Sequence, residues 1–480
     1  MPPAKRQDHK VAFPLPDFLP APTGLTLSEP AREVPVVAQC DVVVLGAGPA
    51  GVCAAAAAGR AGKDVLLVER HGCLGGMATV AGVNVWHSLL GTDGRTPVIG
   101  GLPAEIVERL KRLSAAEETH LHNWIICSET AKFVLDDVVL DSGVKMLLHT
   151  HLAGAVRDGR RVAAALVENK SGRGAVRADV FVDCTGDADL VRRAGVETQL
   201  GDARGRCQPP SLVARVGGRA ADAADLRQVQ AELFKSPMDY NGQPYPTFLW
   251  GNPSLWDPHE HMLAGTRVVG VNCADAADLT RAEVEARYQL RWLLAEMRHI
   301  SGWENIHLVD VAAQIGPRET HRILADHQLT RQDILHGRTF TDAIAQGTYP
   351  IDVHNPDGPG ITFEHLDGTW TRIAGDGSAQ HGRWDGGDDA APPRETLCYQ
   401  VPYRSLIPRA LDNVLAAGRC AGANHDSAGA IRVMVNCMQL GQAAGIAAAM
   451  TPAGGNVRDV AGDALRRRLI DAGAPLRDAT

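Results

Sequence analysis

The sequence predicts an α/β protein, a Rossmann-like dinucleotide-binding domain with an α+β domain inserted into it. Three observations point there. A glycine-rich hexad, Gly46-Ala47-Gly48-Pro49-Ala50-Gly51, separates a β-branched run from an alanine-rich one. After about residue 205 the closely spaced elements give way to isolated strands, loops and one long helix. Regular structure resumes after Tyr399 and ends in a helix rich in small residues. The expected division is a first domain made of residues 36–205 and 400–480, an inserted domain of residues 206–399, and an extended proline-rich arm over residues 1–35.

Eight of the 28 prolines fall in residues 1–35, too many for regular backbone hydrogen bonding, so the arm is extended. Regular structure is expected from Cys40. Val42–Leu45 reads as a buried strand, Pro49–Ala61 as a helix and Val65–Val68 as a second strand, together one βαβ unit. Residues 101–113 and 129–141 carry helical periodicity. Lys145–His149 reads as a strand, followed by a meander over 154–156, 162–168 and 180–182 with turns at Asp158-Gly159 and Ser171-Gly172. A long helix is expected to start at Thr280, capped by Glu283, and to run to Ile300. Residues 351–395 hold eight glycines and four prolines, which fits loops or a short β excursion. Asn413–Ala417 reads as a strand and Arg432–Met450 as a helix.

Composition narrows the function. Of 480 residues, 45% are hydrophobic and 22% charged, the balance of a folded globular protein. Against 56 acidic side chains stand 48 basic ones, a net charge of −8. Sequence-independent nucleic-acid binding needs the opposite sign. None of the ten cysteines forms a CxxC pair, which suits reduced thiols in a cytoplasmic enzyme better than disulfides or a metal site. Val42–Gly59 is uncharged over 18 residues, the threshold for a membrane span. Its glycines and Pro49 divide it into strand, turn and helix, so no span is expected. No apolar core precedes residue 35, so no secretory signal is expected either.

The hexad has the G-x-G-x-x-G spacing. Its first glycine permits the turn, the second lets backbone approach a pyrophosphate, and the third lets helix and strand pack closely; the helix N-terminus then stabilises the anion. Glu69 ends the second strand, where a carboxylate accepts hydrogen bonds from ribose hydroxyls. The residues after Glu69 favour FAD over NAD. A second glycine pair, Gly75-Gly76, comes soon after the acid, in a loop able to lie along a longer dinucleotide. Asp183-Cys184-Thr185-Gly186-Asp187 and Ala417-Gly418-Arg419 each come after a strand, giving three strand ends that can converge on one ligand. No second complete hexad comes after a strand, so no separate NAD(P)H domain is visible.

At these residues the chain resembles the FAD-dependent oxidoreductases that join a glutathione-reductase-like FAD fold to a substrate domain distantly similar to that of fumarate reductase. The resemblance runs from Val34 to the C-terminus. It rests on Val34-Pro35-Val36-Val37 before the hexad, Glu69-Arg70 with Leu74-Gly75-Gly76-Met77-Ala78-Thr79, and Thr185-Gly186-Asp187-Ala188-Asp189. Further matches are Asp278-Leu279-Thr280, Gly316-Pro317-Arg318-Glu319-Thr320-His321-Arg322-Ile323 and Tyr349-Pro350-Ile351-Asp352-Val353-His354. The last run is Ala417-Gly418-Arg419-Cys420 through His425, Arg432-Val433-Met434 and Gly441-Gln442-Ala443-Ala444-Gly445. The chain departs from the pattern at His321, where arginine is usual, and at Asn436, where a small hydroxyl residue is usual. The fold class implied is α/β, a Rossmann-like FAD-binding domain with an inserted α+β substrate domain. The resemblance also implies FAD contacts from Gly46, Gly48, Pro49, Ala50 and Gly51 at the pyrophosphate and from Glu69 at the ribose. Arg70 and the Gly75, Gly76, Met77, Ala78 and Thr79 loop would line the middle of the cofactor, and Leu152 would mark the strand beside adenine. Thr185, Gly186, Asp187, Gly418 and Arg419 would contact the pyrophosphate and ribityl chain. Val433 and Met434, after Arg432, would aim a helix N-terminus at the flavin.

Catalytic candidates are His425, His354, Arg432 and Arg318. His354 lies two residues from Asp352, so on an extended segment the carboxylate can orient the imidazole. His425 falls in the loop after the strand that contacts the flavin. Histidine suits the proton transfer that accompanies hydride transfer to flavin. Arg318, Arg322 and Arg432 can bind a carboxylate or an enolate-like charge; the bland reading places Arg318 and Arg322 on one helix face, paired with Glu319 or Asp326. His71 and Cys73 invite a covalent-flavin reading that a short polar loop explains equally well. The expectation is hydride exchange between flavin and a small polar substrate of alcohol, amine or hydroxy acid type. The alternatives are reduction of a C=C bond or desaturation of a C–C bond beside a carboxylate, or a flavoprotein without redox turnover. Reoxidation would go through oxygen, a quinone or a partner protein.

Overall fold

The apolar run Val42–Leu45 is the buried half of a ten-residue strand, β1 (Val36–Leu45). Regular structure thus begins at Val36 and not at Cys40, because residues 36–40 find partners in residues 175–178. The computed structural model describes residues 15, 17–235, 238–240, 243–245, 248–375, 377–383 and 396–477. Of the expected arm, residues 1–14 and 16 lie outside them; residues 17–35 form no helix or strand. Helix α1 (Pro49–Arg60) starts at a proline that needs no hydrogen-bond acceptor there. Strand β2 (Val65–Val68) returns parallel to β1, completing the βαβ unit. Helices over 102–112 and 128–140 sit within one residue of expectation. The strand expected to reach His149 stops at Leu147, since His149 takes a positive φ of 50°. The meander is longer than the alternation suggested: His151–Asp158, Arg161–Asn169 and then β3 (Gly172–Asp183).

Among the described residues, those beyond 205 build two four-stranded antiparallel sheets and two smaller two-stranded ones. Strand β4 (Val213–Gly217) lies in a four-stranded sheet between His261–Ala264 and His307–Val311, with Trp250–Pro253 at the edge. Helix α2 (Ala276–Met297) packs Leu290, Leu293 and Met297 with Val216, Leu263 and Trp303. It starts four residues before Thr280. The Asp275 carboxylate accepts from the amides of Ala277 and Asp278 and so caps the helix earlier, while the Thr280 hydroxyl turns back to the Ala276 carbonyl. Glu283 caps nothing; it accepts from the Ile315 amide. Arg318 and Arg322 share no helix, since Arg322 lies in the strand His321–Ile323. Strand β5 (Ile351–His354) opens a second four-stranded meander that ends at Arg383. The glycine-rich region is therefore a β excursion; residues 376 and 384–395 lie outside the described residues.

Strand β6 (Val414–Ala416) brings the chain back to the main sheet, beside the C-terminal half of β3. The helix expected over 432–450 is two helices, α3 (His425–Ile431) and α4 (Met434–Met450), at 91° to each other. Arg432 at the corner is held by the Asp352 carboxylate and carbonyl, and Val433 is extended, so the chain cannot run on as one helix. All of α4 up to Ala448 is buried. Its glycines let it cross α1 closely: a Cβ at Gly441 would stand 1.9 Å from the Ala50 carbonyl oxygen, and one at Gly445 2.2 Å from that of Ala54. Among the described residues no single helix is long and apolar enough to cross a membrane.

Candidate active site

The ends of β1, β3 and β6 lie level, because Leu45 and Ala416 are both in register with Asp183. The turns after them converge on one crevice, the position where open α/β sheets place ligands. Gly46 makes its turn with a φ of 89°, and a Cβ there would lie 2.6 Å from the Cys184 carbonyl oxygen. Glu69 is buried and stitches the turn together: one oxygen accepts from the Ala47 amide (2.6 Å), the other from the His71 amide (2.8 Å). A carboxylate offers about four acceptor positions, so capacity remains. Asp183 holds the second turn, accepting from the amide and hydroxyl of Thr185 and the amides of Leu190 and Val191. Burial pushes its carboxyl up to about 6.

A cavity of about 1130 Å³ runs from these turns into the region between the sheets. That exceeds the ~300–1,000 Å³ of a drug-sized ligand pocket. Gly46, Gly48, Pro49, Ala50, Glu69 and Arg70 line it, followed by Gly76, Met77, Leu152, Thr185 and Gly186. Gly418, Arg419, Val433 and Met434 line it from the C-terminal side, where α4 presents its N-terminus. Other expected contacts fall behind the wall. A Cβ at Gly51 would meet the Gly46 carbonyl oxygen at 1.8 Å, so that glycine serves packing. Gly75 donates its amide to the Ala47 carbonyl, Ala78 is buried, and the Thr79 hydroxyl donates to the Leu74 carbonyl. Asp187 accepts from Arg419 (2.8 Å) and from the Thr320 hydroxyl (2.6 Å).

Beyond this stretch the cavity meets a polar cluster of Arg318, Tyr349, Asp352, His354, Arg432 and His87. Asp352 and His354 alternate along β5 and face the same way. One Asp352 oxygen accepts from the Tyr349 hydroxyl (2.9 Å) and from Arg432 (3.1 Å). The other lies 3.3 Å from His354 Nε2, without a hydrogen bond. Among the described residues His354 Nδ1 also has no partner. Burial, with Arg318, Arg267 and Arg432 nearby, holds the His354 imidazole well below its usual value, so it is neutral. Burial likewise pushes His87 down to about 4; its ring lies 4.0 Å from that of Tyr349. Burial and the Asp352 charge raise the Tyr349 phenol. His425 takes no part in this cluster. It begins α3 instead of lying in a loop, does not line the cavity, and its Nδ1 lies 2.9 Å from Glu319, which also pairs with Arg322.

The residues fit an extended dinucleotide. Nothing lies within 4 Å of a Cβ built at Gly48, so the turn leaves an open cradle beside the first amides of α1. Buried atoms of His354, Asp352 and Arg432 await partners further along. The family described as FAD dependent oxidoreductase matches residues 41–469. This chain belongs to that family. It is an FAD-dependent oxidoreductase, and an enzyme. Over 165 residues it is 32% identical to digeranylgeranylglycerophospholipid reductase 1 of Methanopyrus kandleri, a match covering 34% of this chain and 44% of that protein. The oxidoreductase thus spans under half the length of that curated relative. A geranylgeranyl bacteriochlorophyll reductase-like protein of Thermoplasma acidophilum is 12% identical with a TM-score of 0.41, covering 86% of this chain and 78% of that one. For a flavin-dependent brominase the figures are 14%, 0.44, 90% and 83%.

Four residues of the oxidoreductase escaped the sequence: His87, Tyr349, Ser211 and Arg267. Tyr349 had a signal, lying three positions before Asp352 in a segment already singled out. The others reach the cavity region only through tertiary pairing and leave no local spacing to read.

Proposed function

We propose that the enzyme moves a hydride between its flavin and the carbon bearing a hydroxyl or amine in a small polar substrate, with His354 and Asp352 handling the proton. The observation behind this reading is the pair itself, a neutral buried imidazole with a free Nδ1 beside a carboxylate with a free oxygen. Gly46, Gly48, Pro49, Ala50 and Glu69 would hold the cofactor's phosphate and ribose end, and Thr185, Gly186, Gly418, Val433 and Met434 its remainder. Bound FAD supplies the two-electron acceptor or donor. His354 takes the hydroxyl or amine proton at Nδ1. Tyr349 and Arg432 fix one Asp352 oxygen, which leaves the other to offset the charge on the imidazolium. Amides in the first turn of α4 stabilise negative charge at that end of the cavity. We also propose that residues 36–205 with 400–480 hold FAD and residues 206–399 the substrate, since Arg318, Asp352 and His354 all come from the latter.

His354→Gln should lower turnover by roughly 10²- to 10⁴-fold with flavin content unchanged. In the wild type, activity should stay level across neutral pH and past the ordinary histidine value of about 6.5, falling only well below it, because burial holds the His354 imidazole low. A variant with full turnover would remove His354 from the chemistry. The reductase name of the Methanopyrus relative supports a second reading, reduction of a C=C bond with Tyr349 as proton donor. Anaerobic mixing separates the two: hydroxy or amino compounds bleach the oxidised flavin under the first, whereas unsaturated acids reoxidise the reduced flavin under the second.

A further inference from the structure

Two arginines meet at one hydroxyl in the wall of the cavity. Arg318 Nη1 donates to Ser211 Oγ (2.8 Å) and to the Pro209 carbonyl (2.6 Å). Arg267 Nη1 donates to the same Ser211 Oγ (2.6 Å) and to the Thr266 carbonyl (2.6 Å). Ser211 gives its own proton to Thr266, so both guanidiniums rest on neutral oxygens. Among the described residues neither has a carboxylate within ion-pair distance; the nearby Asp352 pairs with Arg432 instead. Arg267 is 3% exposed and leaves Nε and Nη2 without partners. Burial, with the charges of Arg267 and Arg432, holds the Arg318 guanidinium well below its usual value. Arg267 is shielded from water and Arg318 is half-buried at the cavity wall; two like charges so close without a counter-ion are unfavourable until an anion joins them.

The chain beside Ser211 adds a second property. Leu212 turns away into a cluster with Val268 and Ile315. Val213 returns to the cavity side, roughly 7 Å along the extended chain. There it packs with Ala264, and Val85 and Trp250 lean on the same cluster. Ser211, Val213, Trp250 and Val85 all line the one cavity.

We propose that Arg318, backed by Arg267 through Ser211, binds a carboxylate of the substrate, and that Val213, Trp250 and Val85 receive an apolar body attached close to it. The substrate class is a carboxylic acid with an aryl or branched alkyl group near the carboxylate. This rests on the reading of the same cavity as the substrate site. Four probes divide the two properties: benzoate, benzamide, acetate and acetamide, titrated into the FAD-loaded enzyme and followed by flavin absorbance and by melting temperature. Benzoate should bind tightest. Benzamide should be weaker by roughly 10- to 100-fold, the loss of a charge-assisted contact. Acetate should also be weaker by roughly 10- to 100-fold, the loss of a buried ring.

Benzamide equal to benzoate would overturn the anion subsite, acetate equal to benzoate the apolar wall, and no binding by any probe both. In Arg318→Met the preference for benzoate over benzamide should vanish, while the unliganded melting temperature holds or rises because an unpaired buried charge is gone. A merely structural arginine would show the reverse. Benzoate binding with no hydroxy or amino acid able to bleach the flavin would remove the hydride-transfer reading and leave this subsite standing.

Discussion

A methyl group at Gly48 would touch nothing, and the φ of −66° there suits any residue. Its neighbours differ: side chains at Gly46 and Gly51 would collide with backbone. The fold therefore demands glycine at 46 and 51 but not at 48, where the proposed cofactor would. Gly48→Val should leave the melting temperature of the cofactor-free protein unchanged and abolish flavin absorbance in the purified protein. Full flavin content would place the phosphates elsewhere. All three glycines were legible as a set, because their spacing is local. Which of them faces a ligand was not, since that depends on Cys184 coming in from another strand. The histidines show the same limit. Asp352 is two positions from His354 and could be read, whereas the Glu319 that holds His425 lies 106 positions away.

At the scale of elements, strands and helices whose partners lie nearby were legible from periodicity, as with α1, β2 and the helices over 102–112 and 128–140. Boundaries failed where a distant group decides them. Arg432 would continue a helix on propensity alone, but Asp352, 80 positions earlier, holds it at the corner between α3 and α4. The small residues of α4 made sense only against α1. A valine at Gly441 would put its Cβ 1.9 Å from a carbonyl oxygen, and that atom cannot move without shifting α1 and the glycine turn. Gly441→Val should lower stability by about 1–3 kcal/mol or more, read as an earlier denaturant midpoint, and should weaken FAD retention along with it. Unchanged stability would mean that the two helices can separate.

For the whole molecule, three strand ends drawn from residues 45, 183 and 416 meet at one level. The sequence allowed that convergence but could not set its register, which is fixed by pairing across hundreds of positions. A ligand seated there joins segments from both ends of the chain. Stripping FAD should lower the melting temperature, and adding it back should raise it with the logarithm of FAD concentration. A melting temperature indifferent to FAD would mean that the cofactor does not bridge them. The level meeting of these ends also orders events during synthesis. Chains emerge N-terminus first, so the turns at 46 and 186 are exposed while the one at 418 has yet to be translated. If the proposed site holds FAD, cofactor loading should be a late step of biogenesis, and a chain stalled before β6 should not retain FAD.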